Sequence, residues 1–387
     1  MSYQTTVLND VNRHLGYAES IIALRNTLAD GEPLTPPQRA LIEVQMNMIS
    51  GEVAGGSAIL PALEDASCKD ELIMLGLDDL LRKILVMVYE TLVKLVKWAA
   101  MAITKLFHRA RGLLMHVRDT RREISELRGL DTRIASFNIT GQLAQDLSYG
   151  VRFSLTYDQI HQAVAKSKGI ADVLMNGSYS TSLINLGNEL SKSLAAVSST
   201  DPVTILGKVN KSVEKAISDM GFATKTYGRE TTELIGNMSM IVTTPNVSSL
   251  DPVTRSREIQ TFDIAYETGL HQVKKIAVDT LTVDQLNVML GNIENGLLLI
   301  LDYEKQKKAD GLLKTAGELQ TQLHKTLRDL DHLRSTPELN DCMVALSRYM
   351  TAYAAWVQDP IDHYARYFLN LNASLLQICR LSMRQYA

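Results

Sequence analysis

The chain has 387 residues, 45% of them apolar and 6% aromatic, with 22 Gly, 9 Pro, and 40 Lys and Arg against 43 Asp and Glu for a net charge of −3. That length can hold two or three ordinary domains and bury a sizeable core, and long periodic runs with few Gly, Pro and aromatic residues indicate an all-helical class. Three scattered cysteines, Cys68, Cys342 and Cys379, argue against a disulfide framework or structural zinc, and Met1 to Asp10 lacks the basic region and apolar run of a secretory signal.

The first amphipathic helix is predicted from Val7, Val11, Leu15, Ala18 and Ile22, stopping near Asp30-Gly31. Thr35-Pro36-Pro37 starts a second, with Thr35 as cap and proline in the first turn, where its missing N–H costs nothing; it should run to about Ile49. Gly51, Gly55, Gly56 and Pro61 interrupt any helical period, so 51–70 reads as a linker.

From Glu71 to about Arg128 one long helix is expected. Leu81, Ile84, Leu85, Val88, Leu92, Leu95, Ala99, Ile103, Leu106, Ala110, Leu113 and Val117 repeat at three-and-four spacing, while Lys83, Glu90, Lys94, Lys97, Lys105 and Arg109 mark the other face. Its longest uncharged runs, Ile84–Tyr89 and Trp98–Thr104, fall far short of the roughly 18–20 residues that cross a bilayer. Residues 1–64 hold seven acids and three bases, and residues 72–130 hold eleven bases and six acids. An acidic leader can shield such a basic segment, or the two are simply solvated surfaces of unlike composition.

Helix starts recur downstream. Thr156 with Gln159 and Thr282 with Gln285 have capping-box spacing, and Asp201-Pro202 and Asp251-Pro252 pair a capping acid with a first-turn proline. Asn176 to Thr200 and Ala223 to Ser249 are polar and predict shorter, looser helices, broken at Thr243-Thr244-Pro245-Asn246. Leu312, Ala316, Leu319, Leu323, Thr326, Leu330 and Leu333 follow a heptad for about three repeats, which favours an intramolecular helix pair over a dimer zipper. Thr336-Pro337 starts a helix carrying Tyr349, Tyr353 and Trp356; Asp359-Pro360 is expected to end it, and a last helix carries Tyr364, Tyr367, Phe368, Leu375 and Leu376. The expectation is an all-α, elongated multi-helix bundle without a sheet, with a long central amphipathic helix and a short coiled-coil-like segment. Its regions are 1–50 (acidic, helical), 51–70 (linker), 71–130 (basic helix), 131–305 (polar helical bundle) and 306–387 (coiled-coil-like and C-terminal helices).

No chemistry-bearing motif emerges. Gly207-Lys208-Val209-Asn210-Lys211-Ser212 has the letters of a phosphate loop in the wrong order, and the eight His residues show no i, i+4 pair to hold a metal. Asp362-His363 and Asp331-His332 are adjacent and so point apart on a helix. The aromatics from Tyr349 to Phe368 read as helix-helix core ahead of a base-stacking platform. Neither a catalytic residue, a cofactor nor a metal is expected. The basic helix suits a membrane surface, an anionic polymer or a partner helix.

The acidic helical N-terminal piece, the Gly-rich connector with small-x-Glu tripeptides, and the Lys- and Trp-dotted helix LVKLVKWAAMAITKLFHRARGLL resemble the internal head proteins of giant phiKZ-like tailed bacteriophages. The resemblance implies a non-enzymatic virion protein of the capsid interior, present in the host cytoplasm during assembly, and packaged with DNA or ejected alongside it. It also implies a prohead protease that cuts after Ser-x-Glu or Ala-x-Glu to remove an N-terminal propeptide. Ala62-Leu63-Glu64 is the favoured match, ahead of Ser50-Gly51-Glu52; Ala265-Tyr266-Glu267 shows how readily such tripeptides arise. The partners expected are other virion proteins and DNA phosphates, contacted without sequence preference through Lys94, Lys97, Lys105, Arg109, Arg111 and Arg118. The alternative is a helical-bundle protein of pore-forming type that inserts Leu81–Leu114 into a membrane.

Overall fold

A computed structural model describes residues 3–29, 35–54, 69–127, 129–149, 154–222, 227–269, 273–330 and 336–386. Helices dominate, as expected: α1 (Tyr3–Ala29), α2 (Pro36–Ala54) and the 56-residue α3 (Lys69–Ile124) come first, and a 3-10 turn at Ser125–Leu127 ends α3. At about 1.5 Å per residue α3 is roughly 84 Å long, which makes the molecule elongated. Then follow β1 (Ser136–Thr140), α4 (Gly141–Asp146), β2 (Ser154–Leu155), α5 (Tyr157–Met175), α6 (Ser178–Ala196) and α7 (Pro202–Asp219). The chain continues through β3 (Gly228–Leu234), β4 (Met238–Thr244), α8 (Pro252–Ile259), β5 (Asp263–Thr268), β6 (Lys275–Asp279), α9 (Val283–Lys305), α10 (Lys308–Leu330) and α11 (Pro337–Met383).

Leu81, Ile84, Leu85, Val88, Leu95, Ile103, Leu106, Ala110 and Val117 of the α3 stripe are all buried. They face the molecule's own helices, since α3 packs along α1, α9, α10 and α11. In α10, Leu312, Ala316, Leu319, Leu323 and Thr326 are buried and the helix lies on α6 and α3, so the heptad closes within the chain. Leu333 lies outside the described residues.

The capping signals form the bonds they predict. Both Thr-Gln capping boxes are complete, and Asp201 and Asp251 each accept from the backbone N–H three residues on at 2.8 Å. Hydrogen bonds from Thr204, side chain first, hold the Asp201 carboxyl below its usual range, as the Thr254 backbone N–H does for Asp251.

Five expectations need correction. The molecule has two three-stranded sheets, ordered β1-β6-β2 and β3-β4-β5. The first pairs β1 antiparallel and β2 parallel to β6; the second is antiparallel throughout, with Thr231 opposite Ile241 and Ile241 opposite Ala265. Second, the polar stretch 223–249 contains the β3-β4 hairpin where helix was expected. Its turn passes through Gly236 and Asn237 at φ +87° and +54°, and a buried β-branched core of Ile241 and Val242 anchors β4. Third, α6 is a full 19-residue helix, neither short nor loose, with Tyr179, Leu183, Leu186, Leu190 and Leu194 buried. Fourth, α2 continues through Gly51 to Ala54, four residues into the expected linker.

Pro360 does not end a helix either: α11 runs through it for 47 residues. A proline inside a helix leaves the carbonyl four residues back without its donor. Here that carbonyl is Trp356 O, and Tyr179 Oη of α6 donates to it at 2.8 Å. Trp356 Nε1 in turn donates to Phe262 O at 3.3 Å, and Tyr266 Oη donates to Pro360 O at 3.2 Å. Tertiary contacts thus replace the bond the proline removes.

Candidate nucleic-acid interface

With its apolar stripe turned inward, α3 presents its basic residues outward. Lys94, Lys105, Arg109, Arg111 and Arg118 are exposed. Lys97 lies on the same helix, its side chain outside the described residues. From Thr91 to Arg118 the sequence contains no Asp or Glu. Lys94 and Arg118 are therefore separated by about 36 Å of helix, close to one turn of B-form DNA.

The bases on this face differ in their bonding. Arg109 Nη2 donates to Asn370 Oδ1 of α11 at 2.7 Å, and Arg111 Nη2 meets Glu304 Oε2 of α9 at 2.5 Å. Arg121, which the sequence pattern does not single out, similarly reaches Glu294 Oε2 of α9 at 2.6 Å. These are exposed contacts, each worth at most about 1 kcal/mol, and they orient the guanidinium groups more than they stabilise the fold. An ion pair joins α1 to α3 in the sense opposite to shielding: the base Arg25 comes from α1 and the acid Asp78 from α3, at 2.8 Å. The α1 acid Glu19 faces Arg348 of α11 at 2.7 Å and Arg257 of α8 at 3.7 Å.

Ala62, Leu63 and Glu64 lie outside the described residues, as does Cys68. Ser50, Gly51 and Glu52 fall in the last turns of α2, and Ala265-Tyr266-Glu267 is a paired strand, so neither backbone is free to extend into a protease cleft.

The rest of the chemistry-bearing side chains serve the core. Tyr349, Tyr353, Trp356, Tyr364 and Phe368 are buried, and Tyr349 Oη donates to Asn210 Oδ1 at 2.7 Å. Burial pushes the Cys342 and Cys379 thiols up to about 12, far from thiolate reactivity. Asp362 is tied to Arg366 at 2.8 Å while His363 is exposed, so this pair does not converge. Among the described residues no group of three or more His, Cys, Asp or Glu is placed to hold a metal, and no helix is long and apolar enough to cross a membrane.

Sequence reasoning missed Arg380 of α11 and Arg384 at its C-terminal cap, which line a cleft with His116 of α3. Their signal was present: from His363 to the end, the sequence has no acid.

A family model of the phiKZ-like phage internal head proteins matches residues 4–381, well beyond the first 130 residues on which the resemblance rests. No curated protein and no solved structure matches the chain.

Proposed function

The chain belongs to the phiKZ-like phage internal head proteins, a family of the virion interior, and from that premise we propose that it is a non-enzymatic structural protein packaged with the DNA or ejected alongside it. Its helical surfaces bind other head components, and the outward face of α3 meets DNA phosphates through Lys94, Lys97, Lys105 and Arg118, with Arg109 and Arg111 held at the flanks. The observation that carries the reading is the direction of α3. Its apolar stripe is covered by α1, α9, α10 and α11, which turns outward a 28-residue stretch that holds six bases and no acid of its own, Glu304 of α9 reaching only Arg111. The same cover weighs against insertion into lipid, because exposing Leu81–Leu114 means dismantling the core.

Contacts to phosphate release counterions and are blind to sequence. Affinity of the full chain for unrelated duplexes is therefore expected to fall steeply between low and physiological salt. Lys94, Lys105 and Arg118 changed together to Glu should weaken every duplex alike. Salt-insensitive or absent binding leaves a purely protein-protein role.

The reading includes maturation after Glu64, with residues 1–64 as the propeptide and 65–387 as the mature chain. Removing the leader takes away a net −4 and leaves the remainder at +1, more compatible with packed DNA. Mass spectrometry of purified virions should find an N-terminus at Asp65, and Glu64→Gln should prevent it. Intact chain in mature heads removes this part of the proposal.

A further inference from the structure

We propose that the cleft between α3 and the C-terminal half of α11 is a two-helix phosphate site that seats a stretch of DNA backbone, so that the DNA-binding surface continues from α3 onto α11. This rests on the DNA reading above and gives it a specific place. Two acid-free runs remote in sequence carry it: 91–118 has six Lys or Arg, and 363–387 has Arg366, Arg380 and Arg384. Folding lays the two runs side by side, as α3 and α11 pack along each other. Arg366 is neutralised by Asp362 at 2.8 Å, which leaves Arg380 and, at the helix cap, Arg384 as the charges this second run contributes.

Between them lies a cleft of about 360 Å³, lined among others by His116, Leu113, Leu376, Gln377, Arg380 and Arg384. None of its lining residues is acidic. Two other clefts of similar volume are mixed: one beside α1 and α8 includes Glu19, Asp251 and Asp341, and one between α6 and α7 includes Glu189 and Asp219. A polyanion entering either of those meets carboxylates. In the α3–α11 cleft it meets two guanidinium groups, an imidazole and an amide.

The guanidinium groups are also placed. Arg380 Nε donates to Thr120 Oγ1 of α3 at 3.1 Å, and Arg109 of α3 reaches back to Asn370 of α11 at 2.7 Å. These bonds hold the two helices in register and leave the Arg380 terminal nitrogens without an ion-pair partner among the described residues. A guanidinium fixed in this way presents its remaining donors as a fork suited to phosphate oxygens. Leu113 and Leu376 supply apolar wall on which sugar carbons can rest.

The test uses the full chain, a 20-base-pair duplex and anionic vesicles of phosphatidylglycerol, with affinity measured across salt concentrations. Arg384→Gln with Arg380→Gln is expected to flatten the slope of log affinity against log salt by about 0.9 for each phosphate no longer neutralised, and to weaken binding severalfold for each at physiological salt. Arg380→Lys with Arg384→Lys, which keeps the charge, should retain the slope. Circular dichroism confirms that the variants fold; should the Gln pair not fold, Arg384→Gln alone is read. If wild type binds DNA with a steep slope and the folded Gln variants match it, the cleft is not the site and the α3 reading stands. If wild type does not bind DNA, or binds only the vesicles, both fall.

Discussion

At the scale of single residues, the hydroxyl of Tyr179 is the most consequential side-chain atom outside the basic face. It occupies the position that a backbone N–H at residue 360 cannot fill, donating to Trp356 O in a fully buried setting. A buried carbonyl left without a donor costs about 1–3 kcal/mol. Tyr179→Phe should therefore lower the unfolding free energy by that order, read as a lower denaturant midpoint at unchanged slope. Pro360→Ala restores an N–H that competes for the same carbonyl, so the double variant should lose less than the sum of the two single variants. Additive losses in that cycle would mean that the hydroxyl contributes by some route other than replacing the proline's missing donor. Sequence alone could not announce this pairing. Proline's effect on its own helix is local and readable, whereas its compensation comes from a tyrosine 181 positions away.

Among the elements, what was legible divides by the range of the forces involved. Caps are local, and all of the Thr and Asp starts from Thr156 onward appear where the spacing put them. The α3 stripe was equally plain, because a period sustained over ten turns has no other reading. Short strands were not. In β6, only Ile276 and Val278 alternate inward, and β3 is almost wholly exposed and held by its partner β4 more than by any core of its own. The basic face was half legible: its α3 residues stood out, but nothing local brings α11 beside them. Helix contacts also set the tolerance of single positions. A Cβ on Gly187 of α6 would lie 2.4 Å from Thr315 Cγ2 of α10 and 2.7 Å from Tyr353 Oη of α11, whereas one on Gly112 of α3 meets nothing within 4 Å. Gly187→Ala should cost about 1–3 kcal/mol by overpacking, and Gly112→Ala should gain up to about 1 kcal/mol from helix propensity. Thermal melts of the two variants should move in opposite directions; a shift of both the same way would contradict the close approach of α6 to α10 and α11.

For the whole molecule, the N-terminal helix is bound more firmly than a disposable leader needs to be. Val11, Leu15, Ala18, Ile21 and Ile22 of α1 are buried, and the Arg25 side chain, 6% exposed, is paired with Asp78. Each of the Val, Leu and Ile side chains contributes roughly 1.5–3 kcal/mol. A chain cut after Glu64 should consequently keep residues 1–64 in place until the packed DNA displaces them, so that without DNA both pieces should co-elute on native size exclusion and separate only in denaturant. Release without denaturant would show that the linker's covalent bond, and not the α1 contacts, retains the segment. The placement of α1 has a further consequence during synthesis. More than 150 residues separate the end of α3 from the start of α9, so at about 5–20 residues per second the ribosome leaves the greasy face of α3 waiting roughly 8–32 s before α9 even begins, and longer for α10 and α11. Only α1 and α2 are already made, and α1 docks where Arg25 meets Asp78, so the start of the longest helix has one partner at hand before the others emerge.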